Sequence, residues 1–217
     1  IYTSVVKYLS CMTMAKNIFN KYLIMYIIDD FLPKVKFDEL SKFVLSNEFP
    51  WFYASHVSLP PDEQDINDEY AFETDGFYHM LFADEINYNG MFFDKFLPFF
   101  EQCTERFGYT QDDLIRARLG LKQPKIGYKV ENYNLPHVDY TFPHDTIIYY
   151  LNDSDGDTRI FDQNAKTAPD AKSFTVQQTV EPKANRLLLF DGRQYHTASN
   201  PMQVNRRIVL NVNLRCK

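Results

Sequence analysis

The second half of the chain, from Leu114 onward, is a series of short runs rich in β-branched and aromatic residues. Turn-forming stretches such as Asn152–Gly156 and Asp191–Gly192 separate these runs. Short strands at this spacing, with no crossover helices between them, are typical of a β-sandwich or barrel and not of a parallel sheet. The predicted strands are Leu114–Leu121, Ile126–Tyr133, Asp145–Leu151, Thr158–Phe161, Ser173–Val180, Arg186–Phe190 and Arg206–Leu214.

The first half of the chain mixes helical and extended patterns. Over Val35–Leu45 the apolar residues recur at helical spacing. Met91–Phe107 carries phenylalanines on one broad face, and Pro98 marks a helix start or a kink. Extended segments are predicted over Lys21–Ile28, Trp51–Leu59 and Phe77–Phe82.

Together these patterns predict one domain, residues 1–217, that is mainly β with N-terminal helices (α+β). In this prediction residues 1–113 form a support of helices and strands. Residues 114–217 form a double-stranded β-helix core, the jelly-roll or cupin-like arrangement. A chain of 217 residues is long enough for one compact domain with a sizeable core.

Charge and cysteine content narrow the classes of partner. The formal net charge is −6 and the isoelectric point about 5.4, which argues against nucleic acid because no basic field is available to hold its backbone. Cys11, Cys103 and Cys216 are odd in number and widely spaced, which favours a reducing compartment. The longest strongly apolar run, Leu23–Ile28, is far below the roughly 20 residues that span a bilayer, and no signal-peptide pattern precedes it. We therefore expect a cytoplasmic protein with no membrane partner.

Two N-terminal segments leave alternatives open. Ile1–Cys11 lacks a start methionine and is followed by Met12 and Met14, so it is either an upstream extension of the reading frame or part of the native protein. Pro60–Asp75 contains seven acidic residues and no basic one. Such a like-charged stretch is typical of a solvated loop, and the alternative is a lid over a site.

A pair of ligand-type residues, His137 and Asp139, lies two positions apart in the predicted β region. On an extended segment both side chains point to the same side. A third ligand from His196 would complete two histidines and one carboxylate, the facial triad that leaves three positions open on a six-coordinate iron. Taken alone, a His-x-Asp pair is a common chance pattern. His56, His79 and His144 are predicted to be structural or peripheral.

The last predicted strand separates polar from apolar side chains. Ile208, Leu210 and Val212 share one face, and Arg207 lies on the other face with Val209, Asn211 and Asn213. A face with one arginine and two asparagines is unsuited to packing under a helix, so it is predicted to line a pocket. There a guanidinium binds a carboxylate through two parallel hydrogen bonds. The alternative is an arginine at a strand edge in water.

Residues from about Leu114 to Leu214 resemble the prolyl-hydroxylase branch of the Fe(II)/2-oxoglutarate oxygenases, including phage and marine-bacterial members. Several motifs in the family's order carry the resemblance. These are His137-Val-Asp139, Thr146–Asn152, Gly156–Phe161, Val180–Phe190, His196, Pro201 and Arg207. One departure is that Glu131–Pro136 replaces the glycine-rich stretch often found before the His-x-Asp pair, so the rim around the substrate differs.

The resemblance implies a role for each matching residue. His137, Asp139 and His196 are iron ligands, and Arg207 binds the distal carboxylate of 2-oxoglutarate. Tyr150 hydrogen-bonds the same carboxylate. The resemblance also places a tyrosine near the cosubstrate, at Tyr128 or within about one residue of it.

By the same resemblance the protein is a dioxygenase that uses Fe(II), 2-oxoglutarate and O2 to hydroxylate a C–H bond. Succinate and CO2 are released. A peptidyl side chain such as proline is the favoured substrate, and a small metabolite, free amino acid or nucleobase is the alternative. One rival function is an inactive relative that binds metal and 2-oxoglutarate without turnover. Another is a cupin-type metalloenzyme that uses no oxoacid. If a phage encodes the chain, the compartment is the host cytoplasm.

Overall fold

The computed structural model describes residues 5–8, 24–56, 70–72, 75–88, 90–165 and 174–217. The helices are α1 (Lys34–Val44), α2 (Gly90–Asp94) and α3 (Leu97–Phe107). The strands are β1 (Val5–Tyr8), β2 (Ile24–Ile28), β3 (Phe52–Ala54), β4 (Gly76–Ala83), β5 (Ile86–Asn87), β6 (Leu114–Lys122), β7 (His144–Tyr150), β8 (Thr158–Asn164), β9 (Val176–Val180), β10 (Leu187–Asp191), β11 (Gln194–Ala198) and β12 (Arg207–Arg215).

The described strands form two sheets. The larger runs in the order β1-β2-β10-β7-β12-β6-β4-β3, with β5 on β4, and the smaller runs β11-β8-β9. All these pairings are antiparallel except β1 with β2. The prediction of a mainly β fold with N-terminal helices and a double-stranded β-helix core is confirmed. The limits of the single domain stay a prediction.

Alternating side chains of the central strands divide between two cores. Tyr149 of β7 packs towards the helices, where its ring lies 4.9 Å from that of Phe99 in α3. Tyr150 points to the other face, in a cluster between the sheets that includes Ile160 of β8. Because strand side chains alternate with period two, each central strand contributes to both cores.

The helices begin and end where local sequence dictates. Pro33 stands at the N-cap of α1 and Pro98 lies in the first turn of α3. In a first turn the missing N–H of proline costs no helical hydrogen bond. Gly108 ends α3 in the left-handed conformation, with φ +79°. Met91–Phe107 is therefore two helices and not one, and Pro98 marks the start of the second.

The predicted strand at Ile126–Tyr133 is wrong. Gly127 has φ +82°, and the Tyr128 N–H donates to the Lys125 carbonyl at 3.2 Å, so the chain turns instead of extending. Tyr133 alone forms an isolated bridge, with Ala71. The strand β11 was not predicted, because its sequence lacks alternating apolar residues.

Several predictions fall wholly or partly outside the described residues. Most of Pro60–Asp75 does, together with Lys21–Leu23, Val57–Leu59, Ser173 and all of Ile1–Cys11 apart from β1. In the part of the chain that is described, no helix has the length and hydropathy needed to cross a membrane.

Candidate metal centre

Two backbone hydrogen bonds bring His137 and His196 together. The His137 N–H donates to the His196 carbonyl at 3.0 Å, and the His196 N–H donates to the His137 carbonyl at 2.9 Å. This is a hydrogen-bonded antiparallel pair, so the residues lie directly opposite each other. Asp139 follows two residues later, and ligand atoms of all three side chains lie within 4.8 Å of one another.

Both histidines are oriented with Nε2 facing the centre. The Nδ1 of His137 donates to the Leu135 carbonyl at 3.0 Å, and that of His196 donates to the Gln194 carbonyl at 3.0 Å. A carbonyl only accepts, so the proton resides on Nδ1 and Nε2 keeps its lone pair. The buried Nε2 of His196 makes no hydrogen bond in the described structure and lies 3.8 Å from Asp139 Oδ2.

Burial keeps the imidazoles neutral. It lowers the pKa of His137 to about 4, and His196 adds to that effect. Burial also lowers the pKa of His196. Neutral histidines beside a carboxylate are the donor set that a divalent transition metal binds, so these residues fit an iron ion.

Asp139 is held by three side chains from β6 and β12. Arg116 forms an ion pair with Oδ1, and the amide of Asn213 donates to Oδ2 at 2.8 Å. Asn211 lies at 3.3 Å from the same oxygen. Burial alone would raise the pKa of Asp139, yet Arg116, the two histidines and Asn213 hold this pKa well below its usual range. The carboxylate is therefore charged and fixed in direction.

The other histidines are not part of this group. His79 is buried among Phe49 and Phe92, with Nδ1 bonded to the Pro50 carbonyl at 2.8 Å. His144 is buried at the start of β7, and its Nδ1 bonds the Phe142 carbonyl at 2.8 Å. Among the described residues, the one cluster of three that could hold a metal is His137, Asp139 and His196.

Arg207 is buried at the start of β12. It is 4% exposed, whereas Arg206 is on the surface, and the apolar residues Ile208, Leu210 and Val212 join the core under the helices. The predicted assignment of the two faces of β12 is confirmed.

Hydrogen bonds hold the Arg207 guanidinium in place. Its Nε donates to the Gly156 carbonyl at 2.6 Å and its Nη2 to Thr158 Oγ1 at 2.7 Å. The Tyr150 hydroxyl also donates to Thr158 Oγ1, at 2.7 Å, and the Tyr150 ring lies 5.6 Å from the guanidinium carbon. Sequence reasoning missed Thr158, which lines the cavity between these groups.

Tyr128 packs against a residue that precedes the β-helix core. Its ring is buried and lies 5.5 Å from Phe72, and burial raises the pKa of its hydroxyl, an effect that Asn200, Ser199 and the cations Arg159 and Arg207 partly offset. Neither Tyr128 nor Tyr150 belongs to the cavity lining. Their roles towards the cosubstrate stay predictions.

A cavity joins the metal group to Arg207. It encloses about 770 Å³ of space, including its opening to solvent. Its polar lining includes Arg118, Lys122, Asn134, His137, Thr158, His196, Arg207 and Asn211, and its apolar lining includes Ala54, Phe77, Leu121, Ile148 and Val209.

The cationic residues of β6 were also missed. Arg116, Arg118 and Lys122 are spaced by two and four residues, so they share the face of β6 that looks into the site. The opposite face carries the buried Ala117 and Leu119. Polar and apolar residues alternate from Arg116 to Lys122, and this alternation is the sequence signal that identifies the cationic face.

Comparison with known proteins matches part of the chain to a family. Residues 126–215 match the model of a family described as the 2OG-Fe(II) oxygenase superfamily. This stretch includes His137, Asp139, His196 and Arg207. No curated protein sequence resembles the chain closely enough to count as a match.

Solved structures share the fold. A 2OG-Fe(II) oxygenase family oxidoreductase from Burkholderia pseudomallei has 11% identity and a TM-score of 0.55, over 89% of this chain and 86% of that one. The epimerase SnoN, solved in complex with Fe3+, alpha ketoglutarate and nogalamycin RO, has 14% identity and a TM-score of 0.54, over 88% and 78%. A Trichoplax adhaerens prolyl hydroxylase in complex with a peptide fragment has 17% identity and a TM-score of 0.47, over 88% and 83%. The first two similarities establish the fold.

Proposed function

We propose that this chain is an Fe(II)- and 2-oxoglutarate-dependent oxygenase. The observation that carries the proposal is one cavity that is lined at one end by His137 and His196 of the His-Asp-His group and at the other by the buried Arg207. 2-Oxoglutarate has an oxoacid end that chelates a metal and a second carboxylate that needs a cation. The cavity offers a partner for each end.

In this proposal His137, Asp139 and His196 would hold Fe(II) through two imidazole nitrogens and one carboxylate. When bound, the iron together with 2-oxoglutarate and O2 supplies the oxidising chemistry that hydroxylates a C–H bond and yields succinate and CO2. Arg207 binds the distal carboxylate through charge-assisted hydrogen bonds. Thr158 and Tyr150 hold that guanidinium at its angle.

Neighbouring side chains and backbone carbonyls orient the three proposed metal ligands. Arg116, Asn211 and Asn213 direct the Asp139 carboxylate, and the backbone carbonyls of Leu135 and Gln194 direct the two imidazoles. Fixed partners of this kind tune ligand direction and metal affinity. The apolar lining from Ile148 and Val209 limits water around the reacting groups.

The finer reaction is hydroxylation, with a peptidyl side chain such as proline as the substrate. Its support is the set of sequence motifs shared with the prolyl-hydroxylase branch. A small molecule is the alternative substrate class. If the chain is a binding module, it will bind 2-oxoglutarate without turning it over.

The test is succinate formation from isotope-labelled 2-oxoglutarate by the purified protein. Turnover should require Fe(II) and O2 and should disappear in Asp139→Ala. Product analysis with proline-rich peptides tests the finer proposal. The binding module would be favoured if the protein binds 2-oxoglutarate tightly in the presence of metal but forms no succinate with any substrate tested.

A further inference from the structure

The cavity lining holds two cationic residues, Arg118 and Lys122, that the proposed iron and oxoacid sites do not use. On β6 the residues Arg116, Arg118 and Lys122 stand opposite Asn213, Asn211 and Arg207 of β12, in that order. Arg116 is the ion-pair partner of Asp139. Lys122 lies at the Arg207 end of the cavity, whereas Arg118 lies near the metal group.

Arg118 points into the open cavity. It lines the space together with His137 and Tyr78 and is partly buried. Within the described ranges, its guanidinium takes part in no hydrogen bond or ion pair, in contrast to Arg116 and Arg207. A guanidinium stays charged at physiological pH and presents several N–H donors in a rigid plane.

Among the charged side chains of the metal group and of the cavity lining, positive charge exceeds negative charge when the two cofactors are counted. Fe(II) and the guanidiniums of Arg116, Arg118 and Arg207 bring about five positive charges, and Asp139 with the 2-oxoglutarate dianion brings about three negative ones. A surplus of about two positive charges remains, before Lys122 is considered. Partly desolvated charges are stabilised when an opposite charge pairs with them.

The positive field is evident at Lys122 as well. Burial lowers the pKa of its ammonium well below the usual value, and the nearby Arg207 and Arg118 lower it further, while Asp75 offsets part of this effect. The fixed side chains of this region therefore already repel additional positive charge. A cationic ligand would meet the same repulsion.

We propose that the substrate carries an anionic group, a carboxylate or a phosphate, and that Arg118 binds it beside the metal centre. The proposal rests on the proposed oxygenase function and names its substrate class. Phe77, Leu121 and Ala54 line the same cavity, so the rest of the substrate is apolar enough to contact them. A bidentate contact with Arg118 sets the position of the C–H bond relative to the iron.

The test uses the full chain loaded with Zn(II) and 2-oxoglutarate, so that binding is measured without turnover. The probes are matched pairs of N-acetyl amino acids and their primary amides, and matched pairs of alkyl or aryl phosphate monoesters and the corresponding alcohols or phenols. The proteins are wild type, Arg118→Gln, Arg118→Lys and the surface control Arg206→Gln. Dissociation constants of each probe and of 2-oxoglutarate are measured by calorimetry and ligand-observed NMR.

We expect at least one anionic probe to bind at least tenfold more tightly than its neutral counterpart. Arg118→Gln should weaken that probe tenfold or more, Arg118→Lys should restore part of the loss, and Arg206→Gln should stay within twofold of wild type. The affinity for 2-oxoglutarate should change less than threefold in all four proteins. Whether carboxylates or phosphates bind identifies the anion.

The proposal would be overturned by equal binding of the anionic and neutral members of every pair, by unchanged anion binding in Arg118→Gln, or by no binding of any anionic probe to wild type. A loss of 2-oxoglutarate affinity in Arg118→Gln as large as that in Arg207→Ala would assign Arg118 to the oxoacid and also overturn it. Absence of metal-dependent 2-oxoglutarate binding by wild type is a different result, because it contradicts the oxygenase function itself.

Discussion

The Nε atom of Arg207 donates a 2.6 Å hydrogen bond to the carbonyl oxygen of Gly156. This bond joins the first residue of β12 to the loop before β8 and fixes the guanidinium before any carboxylate arrives. A binding group that is already ordered loses less conformational entropy when its ligand binds. The contact requires a residue without a side chain, because a Cβ at position 156 would lie 2.6 Å from the Ser199 carbonyl oxygen and 3.1 Å from Arg207 Cδ.

Gly156→Ala should therefore weaken 2-oxoglutarate binding roughly tenfold, since the added methyl forces residue 156 away from the Ser199 carbonyl and from the Arg207 side chain. Calorimetric titration of 2-oxoglutarate into Zn(II)-loaded protein measures the change. Gly90→Ala is the matched control, because a Cβ at Gly90 has no atom within 4 Å. Equal affinities for the two variants would show that the Gly156 contact does not position Arg207.

Arg207→Ala should raise the dissociation constant of 2-oxoglutarate steeply, by about 2–3 kcal/mol, because the distal carboxylate loses its charge-assisted partner. Arg206→Ala should change it little, since the Arg206 side chain is exposed immediately before β12 begins. The same titration compares both variants. A larger defect in Arg206→Ala would contradict the assignment of Arg207 to the carboxylate.

Strand alternation made part of the site predictable. In β12 the two faces differ so much in polarity that a single register buries the apolar face and leaves the asparagines towards the site. The same reasoning on β6 would have found Arg118 and Lys122. The two-residue spacing of His137 and Asp139 likewise predicted that their side chains point to the same side.

Other features had no local signal. Thr158 acts through Arg207, 49 residues away, and through the Tyr150 hydroxyl, so its role depends on how three strands meet. The strand predicted at Ile126–Tyr133 is wrong because the chain turns at Gly127. The β-branched and aromatic residues around this glycine favour a strand in the sequence pattern more strongly than one glycine disfavours it. Similarly, β11 forms because its partner β8 is adjacent and not because its own sequence favours a strand.

Each residue of the His-Asp-His group should be needed for metal binding. His137→Ala, Asp139→Ala and His196→Ala should each lower the affinity for Zn(II) by more than roughly 100-fold, since the loss of a ligand exceeds the loss of an outer partner. Metal at about 100 times the wild-type dissociation constant should raise the free energy of unfolding of wild type by about 2.7 kcal/mol. It should not raise that of the three variants. Calorimetry and thermal unfolding provide the two measurements.

The matched control for the ligand variants is His56→Ala, because His56 is exposed and was predicted to be peripheral. It should keep the affinity and the metal-dependent stabilisation of wild type. Wild-type metal affinity in any one of the three ligand variants would remove that residue from the site.

Arg116 is predicted to act as a positioning residue through Asp139. Arg116→Gln should lower metal affinity by about 10–100-fold, the range seen when an outer partner of a metal ligand is lost. It should also change the pH dependence of binding. Arg116 helps to hold the pKa of Asp139 well below its usual range. Without that cation the pKa rises, so protons compete with the metal for the carboxylate at higher pH than in wild type.

Zn(II) titrations across a series of pH values in the acidic range test this prediction. The loss of binding on acidification should begin at higher pH in Arg116→Gln than in wild type. Arg215→Gln is the control, since Arg215 lies on β12 with its side chain 52% exposed and 3.6 Å from Glu85. A uniform loss of affinity at every pH, with the wild-type profile retained, would mean that Arg116 supports the site only through the fold. A shifted profile shared by Arg215→Gln would point instead to a general effect of net charge on the titration.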